Sequence, residues 1–286
     1  MRVPGAAVTS VKVRSAGRHA LAARRGRAPA RVLAAFERSL YFETEAGLAC
    51  LGTAALGNGP LNALCDTLPR SAPGDLLLVD LADAVLWKPA ALPAWRPATM
   101  RDALARLRLA AARGAPREGY AFLLAPLALR DAPLAGSQAS ADALADWITT
   151  AERAEHPLQA GSTLPVPQAV AALIGLGPGL TPAGDDLLGG ALAALRAAGR
   201  NRAAEALAAY VLPRAATGTS RISRAHLACA AQGECGEAVH DMLAALLSGA
   251  ADLEVPLARV AAVGHTSGWD ALSGAALAFA ALRERK

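Results

Sequence analysis

The period of the apolar residues changes along this chain, and that change constrains the fold more than any single motif. Up to about residue 135 the apolar residues come in short runs: residues 7–13, SLYFE at 39–43, LACLG at 48–52, LLLV at 76–79, AVLW at 84–87 and YAFLL at 120–124. Runs of this length, bounded by Pro-Gly and Gly-Asn turn signals, read as strands, with TEAG joining the second to the third. One helix interrupts the series, because Met100, Leu104, Leu107 and Ala111 recur at helical spacing. Beyond residue 135 nearly every segment has helical period. Leu144, Trp147, Ile148 and Ala151 form one stripe, and Leu187, Leu188, Ala191, Leu192 and Leu195 form a second. Leu207 with Val211, then Val239, Met242, Leu243 and Leu246, then Leu272, Ala276 and Phe279 continue it.

The expected fold class is therefore α+β, with a mixed, strand-rich N-terminal half packed on a mainly α-helical C-terminal bundle. The expected domains are residues 1–135 and 136–286, the second carrying the glycine-rich motifs. No repeat of solenoid period is visible, and Pro165 and Pro167 mark a break between helices. At 286 residues and 53% hydrophobic the chain can bury a sizeable core, and only 4% aromatic content with abundant alanine favours close-packed helices.

Charge excludes several function classes. The 29 basic residues exceed the 24 acidic ones by five, and Arg2, Lys12, Arg14, Arg18, Arg24, Arg25, Arg27 and Arg31 fall early. Aromatic residues are not interleaved with these charges as a base-stacking surface requires, so a solvated surface is expected and no nucleic-acid partner. No uncharged run reaches the roughly 18 to 20 residues that cross a bilayer, and no apolar leader segment follows the N-terminus. The expectation is a soluble cytoplasmic protein without a membrane partner. Cys50, Cys65, Cys229 and Cys235 show neither CxxC nor zinc-ligand spacing and read as reduced, small core residues.

Three stretches carry chemistry, and each sits at a helix start. In GLGPGLTPAGDD, residues 175–186, Thr181 can cap free amides and Pro182 is pre-set for the first helical position. Gly175, Gly177 and Gly179 permit positive φ, and first-turn amides attract anions. Asp185 and Asp186 stabilise the helix dipole but repel a bare phosphate, so either they are structural or a metal or proton mediates. Gly189 and Gly190, inside the helix, imply close backbone contact, since each costs about 1 kcal/mol relative to alanine.

In TGTSRISRAH, residues 217–226, Gly218 can end one helix and Thr219 or Ser220 can cap the next. Arg221 and Arg224, three apart on one face, put positive charge on a positive helix end. That placement suits an anionic ligand bound by guanidinium forks, and ion pairing with distant carboxylates is the competing reading. In VGHTSGWDALSG, residues 263–274, Ser267 and Asp270 have the spacing of a capping box with Asp in place of Glu. His265 and Thr266 lie just outside that helix, where an imidazole and a hydroxyl can face a ligand. If the three starts converge, they form an anion pocket with acid–base groups.

GLGPGLTPAGDD, TSRISRAHL and GHTSGWDALSG, in this order, resemble the AllH-like proteins, a family that includes a subunit associated with the oxamate carbamoyltransferase of anaerobic allantoin degradation. The matching motifs span residues 175–274, and GNGPLN at 57–62 resembles a glycine-proline turn of the family. The resemblance implies participation in carbamoyl transfer, oxalurate and phosphate giving oxamate and carbamoyl phosphate, in a complex with partner subunits of two other kinds. The implied ligand is a small anion: carbamoyl phosphate, oxalurate or a related ureide.

Residue chemistry is compatible with that reaction. Amides near Thr181 and Thr219, with Ser220, Arg221 and Arg224, suit a phosphate or substrate carboxylate, with Gly177, Gly179, Thr266 and Ser267 lining the same site. His265 suits a carbonyl, and Asp185 or Asp186 can act as base or hold Mg²⁺. One alternative is an ATP- and Mg²⁺-dependent small-molecule kinase, although the loop lacks a GK[ST] ending and follows no expected strand. Another is a non-catalytic subunit that binds a ligand or organises partner enzymes.

Overall fold

The computed structural model describes residues 9–22, 29–45, 47–125, 134, 137–154 and 165–283. Two compact units divide the chain, Met1–Ala90 and Ala91–Lys286. The expected boundary near residue 135 falls inside the second unit. Arg2, Arg24, Arg25 and Arg27 lie outside the described residues, as do residues 7 and 8 of the first expected strand.

The first unit is a barrel. Its strands are β1 (Thr9–Ala16), β2 (Ala30–Ala35), β3 (Ser39–Thr44), β4 (Gly47–Gly52), β5 (Asn62–Cys65) and β6 (Leu76–Asp80), with the two-residue β7 (Val85–Leu86) and a short helix α1 (Arg18–Ala22). The sheet runs β5-β4-β3-β2-β6-β1-β7, and β1 also pairs with β5, so six strands close on themselves and β7 adds to β1. Closure removes the unpaired edges that an open sheet would expose. Alternation sets the inner face: Val11 and Val13 are buried while Ser10, Lys12 and Arg14 point outward. Irregular register between Val13 and Ser15, and between Val32 and Ala34, bends the strands as barrel closure requires.

The sequence reading finds β1, β3, β4, β6 and β7 but not β2 or β5. ARVLAA is alanine-rich and looks helical in isolation, whereas its pairing with β3 and β6 makes it a strand. NALC is four residues long, too short for a pattern, and is held by parallel pairing to β4.

The second unit is helical: α2 (Pro97–Ala111), α3 (Gln138–Ala154), α4 (Ala183–Ala197), α5 (Asn201–Gly218), α6 (Arg221–Ala230), α7 (Glu237–Ser248), α8 (Glu254–Ala261) and α9 (Ser267–Arg283). All the expected helical stripes lie in these elements. A strand at 120–124 is not found; a single 3-10 turn, Ala121–Leu123, stands there instead. Tyr120, Ala121, Phe122 and Leu124 are all buried, so the apolar run packs on every side into the helical core, with no strand beside it to pair with. The N-terminal part thus holds the strands and the C-terminal part the helices, an α+β chain.

Helices α4 and α9 form the most extensive helix–helix contact among the described residues. Two glycines allow it. A Cβ on Gly190 would lie 1.8 Å from the Ala271 carbonyl oxygen, and one on Gly274 1.9 Å from that of Leu187. Leu187, Leu188, Leu192, Leu195, Leu272 and Phe279 pack into the core around this crossing. Among the described residues no helix is long and apolar enough to cross a membrane.

Candidate functional site

The starts of α4, α6 and α9 meet, and hydroxyl groups join them. Thr181 Oγ1 lies 3.1 Å from Ser267 Oγ, linking the α4 approach to the first residue of α9. Ser220 Oγ donates to the carbonyl of Leu180, the residue before Thr181, linking the same approach to α6. The capping roles differ in part from those expected. Helix α4 begins at Ala183 with Pro182 at its cap position and no side-chain cap, so Thr181 is free to bridge. Ser220 does cap α6, accepting from the Ser223 amide at 3.0 Å.

Asp185 wires the junction. Its Oδ1 accepts the Gly175 amide at 2.9 Å, and its Oδ2 accepts the hydroxyls of Thr219 and, at 2.7 Å, Ser223. The carboxylate is 2% exposed and its oxygens accept from three donors. Both the glycine loop and the α6 start are tied to it. Gly175, Gly177 and Gly179 have φ of 71°, 116° and 89°, backbone that L side chains rarely adopt. Gly177 packs over the Ala183 amide, while Gly179 stands in the open.

Asp186 and Asp270 differ from Asp185. Burial holds the Asp186 carboxyl well above the usual carboxylate range, the Ser267 hydroxyl partly offsets this, and the charges of Asp270 and Asp185 add to it. Burial likewise pushes Asp270 up to about 6, against the Tyr120 amide and the Thr266 hydroxyl. Asp270 does not complete a capping box. Its Oδ1 accepts the Tyr120 amide at 2.5 Å, a link to a loop distant in sequence. Oδ2 of Asp186 and Oδ2 of Asp270 are buried without a hydrogen-bond partner among the described residues.

The arginines and the histidine face outward. Arg221 and Arg224 are exposed on the first turn of α6, and Thr266 is half-buried just before α9. Among the described residues no carboxylate pairs with Arg224. His265 is exposed, and its Nε2 lies 2.5 Å from Glu118 Oε2.

Residues 173–279 match the family model of the oxamate carbamoyltransferase subunit AllH. That stretch is AllH-like. No curated protein and no solved structure matches the chain. The AllH-like stretch takes in all three helix starts and the α4–α9 crossing, whereas GNGPLN at 57–62 and the Glu118–Tyr120 loop lie outside it.

Glu118, Gly119, Tyr120, Ser223 and Asp270 escaped the sequence reading as site residues. Gly119 packs directly on Asp270, since a Cβ there would lie 2.3 Å from Oδ1. For the loop no local signal exists, because REGY reads as the lead into a strand. Asp270 did leave one: DALSG at 270–274 repeats the pattern of DLLGG at 186–190.

Proposed function

We propose that the chain is a carbamoyltransferase-related protein, a subunit or homologue of an oxamate carbamoyltransferase, that binds an anionic carbamoyl or ureide ligand where α4, α6 and α9 begin. The convergence of Thr181, Ser220 and Ser267 carries this reading, because three helix N-termini brought together concentrate amide donors and positive dipole on one place. Arg224, exposed on the first turn of α6, supplies a guanidinium fork for a phosphate or carboxylate. Arg221 stands on the same turn. The AllH-like stretch supports the ligand class.

In the reaction proposed, a phosphate oxygen attacks the terminal carbamoyl carbon of oxalurate, the bond from that carbon to the inner nitrogen breaks, and oxamate leaves. The proton lost by the phosphate hydroxyl passes to the departing nitrogen. In this reading His265, exposed beside the α9 start and paired with Glu118, carries it. Asp185 fixes the loop and the α6 start and takes no part in the chemistry.

A second reading rests on the match itself, which is to a subunit: the chain binds the ligand and partner chains complete the active centre. Phosphorolysis of oxalurate by the purified chain, alone and with candidate partner subunits, separates the two. Turnover by the chain alone supports the first, turnover only in the mixture supports the second, and stabilisation by ATP with Mg²⁺ but not by carbamoyl phosphate or oxalurate contradicts both.

A further inference from the structure

Asp186 and Asp270 hold equivalent places on two helices. Each stands four residues before a glycine, Gly190 and Gly274, and directly before the residue whose carbonyl meets the other helix's glycine, Leu187 and Ala271. Exchanging α4 and α9 maps one close contact onto the other, so the crossing is a local two-fold. The Thr181–Ser267 contact sets the two helix starts side by side at one end of it. That contact and the close approaches of Gly190 to Ala271 and of Gly274 to Leu187 bring together the first turns that carry the two aspartates.

Each aspartate keeps Oδ2 buried and unpartnered among the described residues, and Asp270 is 0% exposed. The Ser273 hydroxyl, one turn along α9 from Asp270, is likewise 0% exposed and unpartnered. The rest of the junction is matched: Asp185 alone takes three donors. A buried oxygen without a donor is unfavourable by about 1–3 kcal/mol, so a pair at equivalent positions calls for an occupant. A water or an amide would satisfy the oxygens but bring no positive charge to two buried carboxyls. A cation answers both needs, and hard divalent cations of the Mg²⁺ type take one or two carboxylates and complete their shell with other oxygens.

We propose that Asp186 and Asp270, one from each helix of this pseudo-symmetric pair, hold a single divalent cation of the Mg²⁺ or Mn²⁺ class, with the Ser273 hydroxyl as a third protein oxygen. The cation site borders the junction through Ser267, and the argument for it does not depend on the ligand reading above.

The test is a Mn²⁺ titration of the full-length, chelator-treated protein, followed by the electron paramagnetic resonance signal of free Mn²⁺, with no carbamoyl ligand present. Wild type takes up one Mn²⁺ per chain, and Mg²⁺ displaces it. Asp186→Asn and Asp270→Asn each weaken uptake about tenfold or more, the scale on which metal sites respond when their shell is disturbed. Ser273→Ala weakens it less, and Asp241→Asn, a surface carboxylate paired with Arg259, leaves it unchanged. Absence of stoichiometric uptake by wild type overturns the proposal, whatever the variants do. So does uptake that none of the three site substitutions weakens, with Ser273→Ala and Asp186→Asn deciding if Asp270→Asn does not fold. Because no carbamoyl compound enters the titration, a negative result leaves the ligand reading to its own assay.

Discussion

Thr181 and Ser267, 86 residues apart in sequence, meet hydroxyl to hydroxyl at 3.1 Å and join the approach to α4 with the first residue of α9. Thr181→Val and Ser267→Ala, singly and together, form a double-mutant cycle in chemical denaturation. A coupling of about 0.5–1.5 kcal/mol is expected, the net value of one intramolecular hydrogen bond. Simple additivity of the two substitutions would mean that the helix starts are held together by other contacts.

Asp185→Ala removes the acceptor for the Gly175 amide and the Thr219 and Ser223 hydroxyls at once. The expected loss in unfolding free energy is about 2–4 kcal/mol, since three buried donors lose a charged partner. Thr219→Val, which removes one of the three, costs about 1 kcal/mol. Equal effects of the two substitutions would argue against Asp185 as the common anchor.

The adjacent glycines of α4 should behave oppositely. At Gly190 a methyl group meets the Ala271 carbonyl at 1.8 Å, backbone that cannot give way without parting the helices, so Gly190→Ala destabilises by several kcal/mol, as overpacking does. At Gly189 the nearest atom is the Ala230 Cβ at 3.8 Å, ordinary contact, so Gly189→Ala stabilises by up to about 1 kcal/mol through helix propensity. Thermal unfolding of the two variants reads the difference directly.

Asp270 gives stability a pH dependence of known sign. Burial pushes its carboxyl up to about 6 in the folded chain from the ordinary 3.8, so between those values the folded state holds a proton that the unfolded state has lost. The contribution is fully present below about 4 and is lost as pH rises through 6, about 3 kcal/mol at 1.36 kcal/mol per pH unit. In chelator-treated protein the stability of wild type relative to Asp270→Asn therefore falls by that order between pH 4 and 7. Denaturation at several pH values checks it, and a difference that rises with pH contradicts it.

Periodicity made the helical part legible, because each buried stripe needs nothing beyond its own helix to be seen. YAFLL at 120–124 misled for the same reason: a short apolar run buried on all sides looks alike as a strand or as a turn in a helical core. The glycine loops and the Ser220 cap could be read from local chemistry. The bridging role of Thr181 could not, since Pro182 takes the cap position and frees its hydroxyl for a residue far along the chain. Asp270 read as a capping residue because its spacing from Ser267 fits one, while its true partner, the Tyr120 amide, comes from a distant loop. Asp185 and Asp186, adjacent and alike in sequence, part only in the fold. Helical rotation turns the first toward Gly175 and α6 and the second toward Ser267 and Asp270.

The proposal that the three helix starts form one anion site is tested most directly by calorimetric titration of wild type, Arg224→Ala and Ser220→Ala with carbamoyl phosphate, and of wild type with oxalurate. Wild type should bind at least one of the two with one site per chain, and loss of the guanidinium should weaken carbamoyl phosphate binding about tenfold or more, the worth of a charge-assisted pair. Ser220→Ala, which unties α6 from Leu180, should weaken it less. Failure of wild type to bind either compound, or binding that neither substitution changes, would contradict a ligand site at this junction.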